Sequence, residues 1–371
     1  MDGSIPFWMY LIGFPLLLGP LVTFHELGHY LVGRWFGVQA EAFSVGFGKE
    51  LWGWTDRRGT RWKLSALPLG GYVQFKGDMN PASMADPAAP RVEGSFHAAA
   101  LWKRALIVFA GPATNILLTL AIFAAFFAFI GKPEPVDPAR TTVVERLAEG
   151  SAAGAAGVRP GDRITAIDGR PVREFGDLTE QVLMYPGKRV VLSVERGGDT
   201  LRLPVTIASA EEKDRFGNVS RVGRLGIYSS GIEYRPAGLA EAGALAVDQT
   251  ISVTRMMVTG VAQIIGGERS VKELGGPVKI AKFSGEQLSL GWLAFVNFAA
   301  LISLNLAFIN LLPIPGLDGG HLAFYATEAV RRKPVGPRGQ EVAYRAGVAL
   351  VLTLMIFVTI NDLASLPLFG S

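Results

Sequence analysis

Four long apolar stretches dominate the hydrophobic pattern of the chain. The first runs from about Ile5 to Phe24, and the others are uncharged from Ala105 to Gly131, from Gln287 to Leu317 and from Ala346 to Asn361. A helix that spans a membrane needs about 20 mainly apolar residues, with a lower limit of about 17. The pattern therefore predicts four transmembrane helices, the fourth of which is close to the lower limit.

The polar and apolar pattern between the second and third stretches is different. Short alternating runs such as RITAIDG and KRVVLSVERGG predict strands, and FGDLTEQVLMYPG predicts a helix that stops at Pro186. From Ala237 to Gly266 apolar residues recur at helical spacing, but Asp248 and Arg255 interrupt them. We interpret this segment as an amphipathic helix that lies on a surface, such as the bilayer, and not as a fifth span.

These patterns divide the chain into four regions. Residues 1–131 hold the first two spans and a cytoplasmic loop that we expect to form a membrane-associated hairpin. Residues 132–210 form a small mixed α/β domain, and residues 211–286 form a linker with the amphipathic surface helix. Residues 287–371 hold the last two spans. The predicted fold class is an α-helical membrane protein with four transmembrane helices, an inserted α/β domain and a β-hairpin.

Composition supports a membrane protein. The 371 residues are 49% hydrophobic and only 18% charged, whereas soluble domains carry about 25% charged residues. The chain has no cysteine, which excludes disulfides and cysteine zinc ligands. We interpret the net charge of +4 through the placement of the basic loops, so we expect membrane lipid and no nucleic acid among the partners.

The distribution of lysine and arginine predicts the orientation. Basic residues concentrate in the loop between spans one and two and in the loop between spans three and four, which holds Arg331, Arg332, Lys333 and Arg338. By the positive-inside rule both loops face the cytoplasm. Both termini and the insert at 132–286 then lie on the outer side, and the sequence HELGH lies near the cytoplasmic end of the first span.

The sequence HELGH places three ionisable residues within one helical turn. His25 and His29 are four residues apart and share one helix face, while Glu26 projects at a different angle. This spacing is typical of a catalytic zinc site, in which the histidines bind the metal and the glutamate is the general base. The alternative is that these side chains only form hydrogen bonds between helices. We favour the metal site. Hydrogen bonding between helices is typical of isolated polar residues, and it does not account for three ionisable residues at metal-ligand spacing.

A catalytic zinc ion needs a third protein ligand, and Asp318 is the best candidate. It follows the broken end of the third span in the sequence NLLPIPGLDGGH, where Pro313 and Pro315 interrupt the helix. Irregular backbone at membrane depth is tolerated where it lines a cavity or is buried in protein. The alternative is that Asp318 only caps the following helix. His321 is a rival ligand that we rank lower.

Two asparagines in the spans have different expected roles. Asn310 precedes Asp318 by eight positions, so it could stabilise a developing oxyanion or merely pair with another helix. Asn115, in the sequence GPATN of the second span, is expected to serve close helix packing.

At this point the motifs resemble a known family. HELGH in the first span and NLLPIPGLDGG in a later one are similar to the site-2 protease family of intramembrane zinc metalloproteases. SVGFGKELW, LPLGGYVQF and WKRALIVFAGPATN place the resemblance nearest to the bacterial RseP type, a protease that regulates sigma-E. The resemblance implies zinc as cofactor, His25, His29 and Asp318 as its ligands, Glu26 as catalytic base and Asn310 as a substrate or oxyanion contact.

The resemblance also implies a location, substrates and a type of insert. The expected location is the inner membrane of a bacterium, with the insert in the periplasm. The expected substrates are single-span membrane proteins already trimmed outside the membrane, such as anti-sigma factors, together with remnant signal peptides. The insert resembles a PDZ domain, most clearly in SAAGAAGVRPGDRITAIDG, and either binds peptide or filters substrates by size.

The loop after the first span suggests how a substrate is held. RWKLSALPLGGYVQF, residues 61–75, has strand character with breaks at Pro68 and at Gly70. We expect part of it to form a membrane-dipping hairpin whose edge pairs with an extended substrate. The alternative is an ordinary cytoplasmic hairpin.

Two other classes of function remain open at this stage. A divalent-metal transporter also needs intramembrane histidine and aspartate, but it would repeat polar residues along several spans. A catalytically silent scaffold would have no need of Glu26.

Overall fold

A computed structural model describes residues 5–77, 92–135, 141–213, 219–229, 232–271, 275–333 and 335–364. The packing of Cα atoms divides the chain into two compact units. The membrane unit comprises residues 4–123, 246–254 and 266–371, and the insert unit comprises mainly residues 124–245 and 255–265.

The described residues form α-helices and β-strands in both units. The helices are α1 (Phe7–Trp35), α2 (Leu101–Phe129), α3 (Ala152–Ala155), α4 (Phe175–Leu183), α5 (Leu239–Ile265), α6 (Pro277–Ser289), α7 (Trp292–Asn310), α8 (Asp318–Arg331) and α9 (Pro337–Ala364). The strands are β1 (Ala40–Thr55), β2 (Arg61–Phe75), β3 (Lys132–Pro135), β4 (Arg146–Leu147), β5 (Arg163–Ile167), β6 (Arg170–Pro171), β7 (Arg189–Arg196), β8 (Asp199–Thr206), β9 (Ala208–Lys213), β10 (Val219–Arg224), β11 (Ile227–Tyr228) and β12 (Ile232–Arg235).

Among the described residues, four helices are long and apolar enough to cross a membrane, which confirms the prediction of four such helices. Their apolar segments are Trp8–Trp35, Leu101–Phe129, Trp292–Asn310 and Arg338–Ala364. The third predicted stretch differs in one respect, because its first residues belong to the separate helix α6. Gly291 lies between α6 and α7 with a φ of 109°, a conformation that glycine tolerates and that ends the first helix.

Close helix packing organises the membrane unit. Leu17 and Leu21 of α1 form a buried cluster with Phe295 and Ile302 of α7. Glycine permits a tight contact between α1 and α6, since a Cβ on Gly13 would lie 3.0 Å from the backbone of α6. Small residues at such contacts let helix backbones approach closely in membranes.

Strands β1 and β2 form an antiparallel hairpin that folds over on itself. Residues 40–45 of β1 pair with residues 71–75 of β2 and also with residues 61–64. The apolar side of the hairpin packs against the ends of α1 and α2 through Tyr30, Phe43, Phe75 and Ile107. Residues 71–75 therefore form an outer segment of the hairpin, beside α1.

The insert unit contains a four-stranded sheet in the order β6-β5-β7-β8. Its inward side chains, such as Ile164, Leu192 and Val194, form a buried core with Leu178 of α4. Asp162 is buried beside this core, where the Arg196 guanidinium binds it and holds the pKa of its carboxyl below the usual range. This is the mixed α/β domain that the sequence predicts.

The predicted linker 211–286 contains more structure than expected. Strands β9 and β10 pair with each other, β11 pairs with β4, and β12 pairs with β3. These strands are short and polar, so their alternation is weak in the sequence. Helix α5 covers almost the whole segment predicted as an amphipathic helix.

Candidate active site

Helix α1 places the two histidines of HELGH on a buried face. His25 and His29 are 7% and 8% exposed, and their Nε2 atoms lie 3.2 Å apart. The Nδ1 atom of His29 lies 2.8 Å from the carbonyl oxygen of Ile107 on α2. That carbonyl can only accept a hydrogen bond, so the proton of a neutral His29 ring is on Nδ1. Its Nε2 atom then presents a lone pair to the cavity.

Glu26 projects from α1 toward the hairpin. Its Oε2 atom accepts a hydrogen bond of 3.0 Å from the backbone N–H of Val73. The Val73 N–H therefore points away from β1 and toward α1. This contact holds the carboxylate at the cavity that the two histidines also line.

Asp318 is carried to the same place by a tight turn before α8. The turn follows α7, and its Gly316 has a φ of 101°. No side chain fits at the next two glycines: a Cβ on Gly319 would lie 2.3 Å from the carbonyl oxygen of Leu312. Asp318 is the first residue of α8, whereas the N-cap position is Leu317. The alternative in which Asp318 caps this helix is therefore not observed.

The carboxylate of Asp318 faces both histidines. Its Oδ2 atom lies 3.1 Å from Nε2 of His25, and its Oδ1 atom lies 3.6 Å from Nε2 of His29. Three ligand atoms, one from each residue, lie within 4.8 Å of one another. Tetrahedral zinc with ligands at about 2.0–2.1 Å separates them from each other by roughly 3.3 Å. The observed distances of 3.1–3.6 Å fit this donor set.

Helix α2 leaves room for an ion at this point. A Cβ on Gly111 would lie 2.3 Å from Nε2 of His29 and 2.8 Å from Nε2 of His25. Gly28 of α1 likewise lies against the backbone of α2, where its Cβ would be 2.4 Å from the carbonyl oxygen of Ala110. The two glycines bring the helices together and keep the metal-facing atoms of both rings uncovered.

The three groups lie in a cavity of about 220 Å³ that the other predicted residues also line. Asn310, at the end of α7, and His321, one turn into α8, both face this cavity. His321 does not belong to the cluster of possible metal ligands formed by His25, His29 and Asp318.

Sequence reasoning missed three groups at the site. Asn115, predicted to serve packing alone, lies with Nδ2 3.3 Å from Nδ1 of His25. The Ile107 carbonyl and the Val73 N–H are backbone groups, which a sequence does not reveal. A signal for Asn115 was available, because positions 107, 111 and 115 share one face of α2.

The fold and the donor set together define a class, a metalloprotease whose site lies among apolar helices. The sequence profile of Peptidase family M50 matches residues 13–354. The chain belongs to this family, the membrane-embedded site-2 proteases.

Several relatives agree with this assignment over nearly the whole chain. A protein of Agrobacterium fabrum named as a zinc metalloprotease is 45% identical over 375 residues, which cover 96% of both chains. A protein of Rhizobium meliloti with the same description is 44% identical and covers 94% of this chain and 95% of its own. The metalloprotease MmpA of Caulobacter vibrioides is 34% identical, with 98% of each chain covered.

Part of the chain is similar to a solved structure. The PDZ domain of an SdrC-like protein from Listeria monocytogenes covers 24% of this chain and 87% of its own length. The sequence identity is 18% and the TM-score is 0.19.

These findings confirm the expected enzyme class and cofactor: the protein is a zinc-dependent membrane metalloprotease. They favour the protease over the two alternatives, a divalent-metal transporter and a silent scaffold.

Proposed function

We propose that this enzyme hydrolyses peptide bonds in or beside the transmembrane helix of single-span membrane proteins. The observation that carries the proposal is the convergence of His25, His29 and Asp318, with Glu26 beside them, among helices apolar enough to span a membrane. Such a site acts on bonds that lie at membrane depth. The enzyme class alone does not require this, since many metalloproteases act in water.

Each residue of the site has a distinct role in this proposal. His25, His29 and Asp318 would hold the zinc ion. Bound there, zinc would lower the pKa of a water molecule and polarise the scissile carbonyl. Glu26 accepts a proton from the attacking water and passes it to the leaving amine. Asn310 supplies an amide donor for the developing oxyanion, which its place in the cavity supports.

The ligand assignment is tested by metal content together with cleavage. Purified wild type should hold one zinc ion, whereas His25→Ala and Asp318→Ala should each lose most of it, together with cleavage of a membrane substrate. His97→Ala is the matched control, because His97 lies on the short 3-10 helix outside the cavity lining. Full zinc content in both site variants would refute these ligands.

We further propose that an extended substrate pairs with residues 71–75 of β2. This segment lies on the outside of the hairpin, and the described residues add no third strand to the sheet. The Val73 N–H, which points away from β1, binds Glu26. A substrate strand on this edge would lie beside the catalytic base, and main-chain pairing opens the substrate helix locally.

Proline at Val73 tests this edge. Val73→Pro removes the outward N–H that binds Glu26 and disrupts the strand edge, so it should lower kcat/KM at least about tenfold while zinc content stays normal. Val73→Thr keeps the N–H and nearly the same shape, so it should cleave at close to the wild-type rate. An unchanged rate in the proline variant would exclude pairing at this position.

The finer location is part of the proposal. We place the enzyme in a bacterial inner membrane, with the hairpin associated with the cytoplasmic side and the active site near it. The basic residues at the end of α8 and just after it, such as Arg331 and Lys333, support this orientation. The expected periplasmic termini, residues 1–4 and 365–371, lie outside the described residues.

We also propose that the substrates are already trimmed outside the membrane, as anti-sigma factors and remnant signal peptides are. The PDZ-like insert would reject substrates with bulky outer domains. Pro135 of β3 and Ile232 of β12 are register partners, so a two-residue Asn-Gly turn can replace residues 136–231.

This replacement makes a specific prediction. The shortened enzyme should cleave trimmed and untrimmed forms of one substrate at rates within about threefold of each other, because nothing excludes the larger form. The wild-type enzyme should cleave the trimmed form at least about tenfold faster. If the shortened enzyme still discriminates, while it cleaves the trimmed form normally, then the insert is not the filter.

A further inference from the structure

Asn115 is a buried polar residue beside a metal-ligand histidine. It is fully buried on α2, at 0% exposure, and its amide lies 3.3 Å from Nδ1 of His25. Its Oδ1 atom is buried and makes no hydrogen bond among the described residues. A buried amide is costly without a partner, so its contact with His25 calls for an explanation.

The amide is held in place through its own backbone. The carbonyl oxygen of Asn115 accepts a 3.0 Å hydrogen bond from Oγ of Ser303 on α7. Thr119 Oγ1 lies at 3.0 Å from the same oxygen. The contact with Ser303 fixes the position of residue 115 relative to α7. The side chain can therefore aim a neighbouring ring.

The chemistry of His25 decides which amide atom faces it. Zinc at Nε2 requires a lone pair there, so a neutral His25 carries its proton on Nδ1. An N–H must meet an acceptor, and the acceptor of an asparagine amide is Oδ1. The two amide atoms have nearly the same shape, so their assignment follows from the hydrogen-bond network. Turning the Asn115 amide by 180° brings Oδ1 to the Nδ1–H of His25. Oδ1 loses no hydrogen bond in this turn, because it makes none among the described residues.

We propose that Asn115 is the positioning residue of His25: its Oδ1 accepts the Nδ1–H and so presents Nε2 to zinc. The proposal rests on the metal ligands proposed above. It completes a pattern on α2, in which the Ile107 carbonyl aims His29, Asn115 aims His25, and Gly111 between them leaves the ion uncovered. Partners of this kind fix the tautomer and the orientation of metal-bound histidines.

Zinc affinity of the full chain in detergent, measured by competition with a chelator, tests the proposal. Asn115→Leu has a similar volume but no acceptor, so its Kd for zinc should rise about 10–100-fold. Asn115→Asp keeps an acceptor and should stay within about threefold of wild type. The absorption spectrum of the cobalt-loaded protein should shift for the leucine variant and stay close to wild type for the aspartate variant.

One control separates positioning from packing. Ser303→Ala removes one of the two hydroxyl contacts to the Asn115 carbonyl, while the contact from Thr119 remains and the amide is unchanged, so its zinc Kd should stay within about threefold of wild type. The proposal is overturned by a leucine variant with wild-type affinity, by an aspartate variant that loses affinity tenfold, or by a Ser303→Ala loss equal to that of leucine. Wild-type affinity in His25→Ala would instead refute the ligand assignment itself. If the leucine variant does not fold, the aspartate variant still decides.

Discussion

Replacing Glu26 with glutamine should abolish cleavage of a membrane substrate and leave zinc in place. Glutamine has almost the same shape, and its Oε1 can still accept the hydrogen bond that Val73 N–H donates to Glu26. A neutral amide does not take a proton from water, so we expect kcat to fall by at least about 10³-fold. Zinc content and thermal stability should stay at wild-type values, since Glu26 is not among the three ligands.

The control for this prediction is the same substitution at an exposed site of the hairpin. Glu41 lies on β1 with its side chain in solvent, so Glu41→Gln should cleave at the wild-type rate. Cleavage by Glu26→Gln at more than about a tenth of the wild-type rate would show that another group is the base. Loss of zinc in that variant would instead make Glu26 part of the metal site.

The helices and the histidine pair were predictable because they depend on local periodicity. Apolar runs of spanning length give the four long helices, and a spacing of four residues brings His25 and His29 onto one face of α1. The insert sheet was predictable for the same reason, since its strands alternate. The break between α6 and α7 depends on the positive φ of Gly291. It was not predictable from the hydrophobic pattern, because apolar residues continue on the far side of this glycine.

The proximity of Asp318 to the histidines was predictable only in part. Its distance in sequence from α1 gives no geometric clue, and the prediction depends on its place after the broken end of the third span and on a resemblance. The turn that carries Asp318 depends on Gly319 and Gly320, where the chain has no room for a side chain. The groups that hold His29 and Glu26 were not predictable from chemistry-bearing residues alone, because Ile107 and Val73 act through their backbones.

The contact of α2 with the metal site leads to the second large prediction: Gly111→Ala should lose zinc and activity without unfolding. The new methyl carbon would lie 2.3 Å from Nε2 of His29 and 2.8 Å from Nε2 of His25, inside the space that the ion needs. Alanine favours helix by about 1 kcal/mol relative to glycine, so the helix itself is not weakened. We expect the zinc Kd to rise at least about 100-fold, as measured by chelator competition.

Gly19→Ala on α1 is the matched control, because its methyl group meets no atom within 4 Å and its zinc affinity should equal that of wild type. Wild-type zinc affinity in Gly111→Ala would mean that the ion lies elsewhere, since a methyl group and a metal cannot share this position.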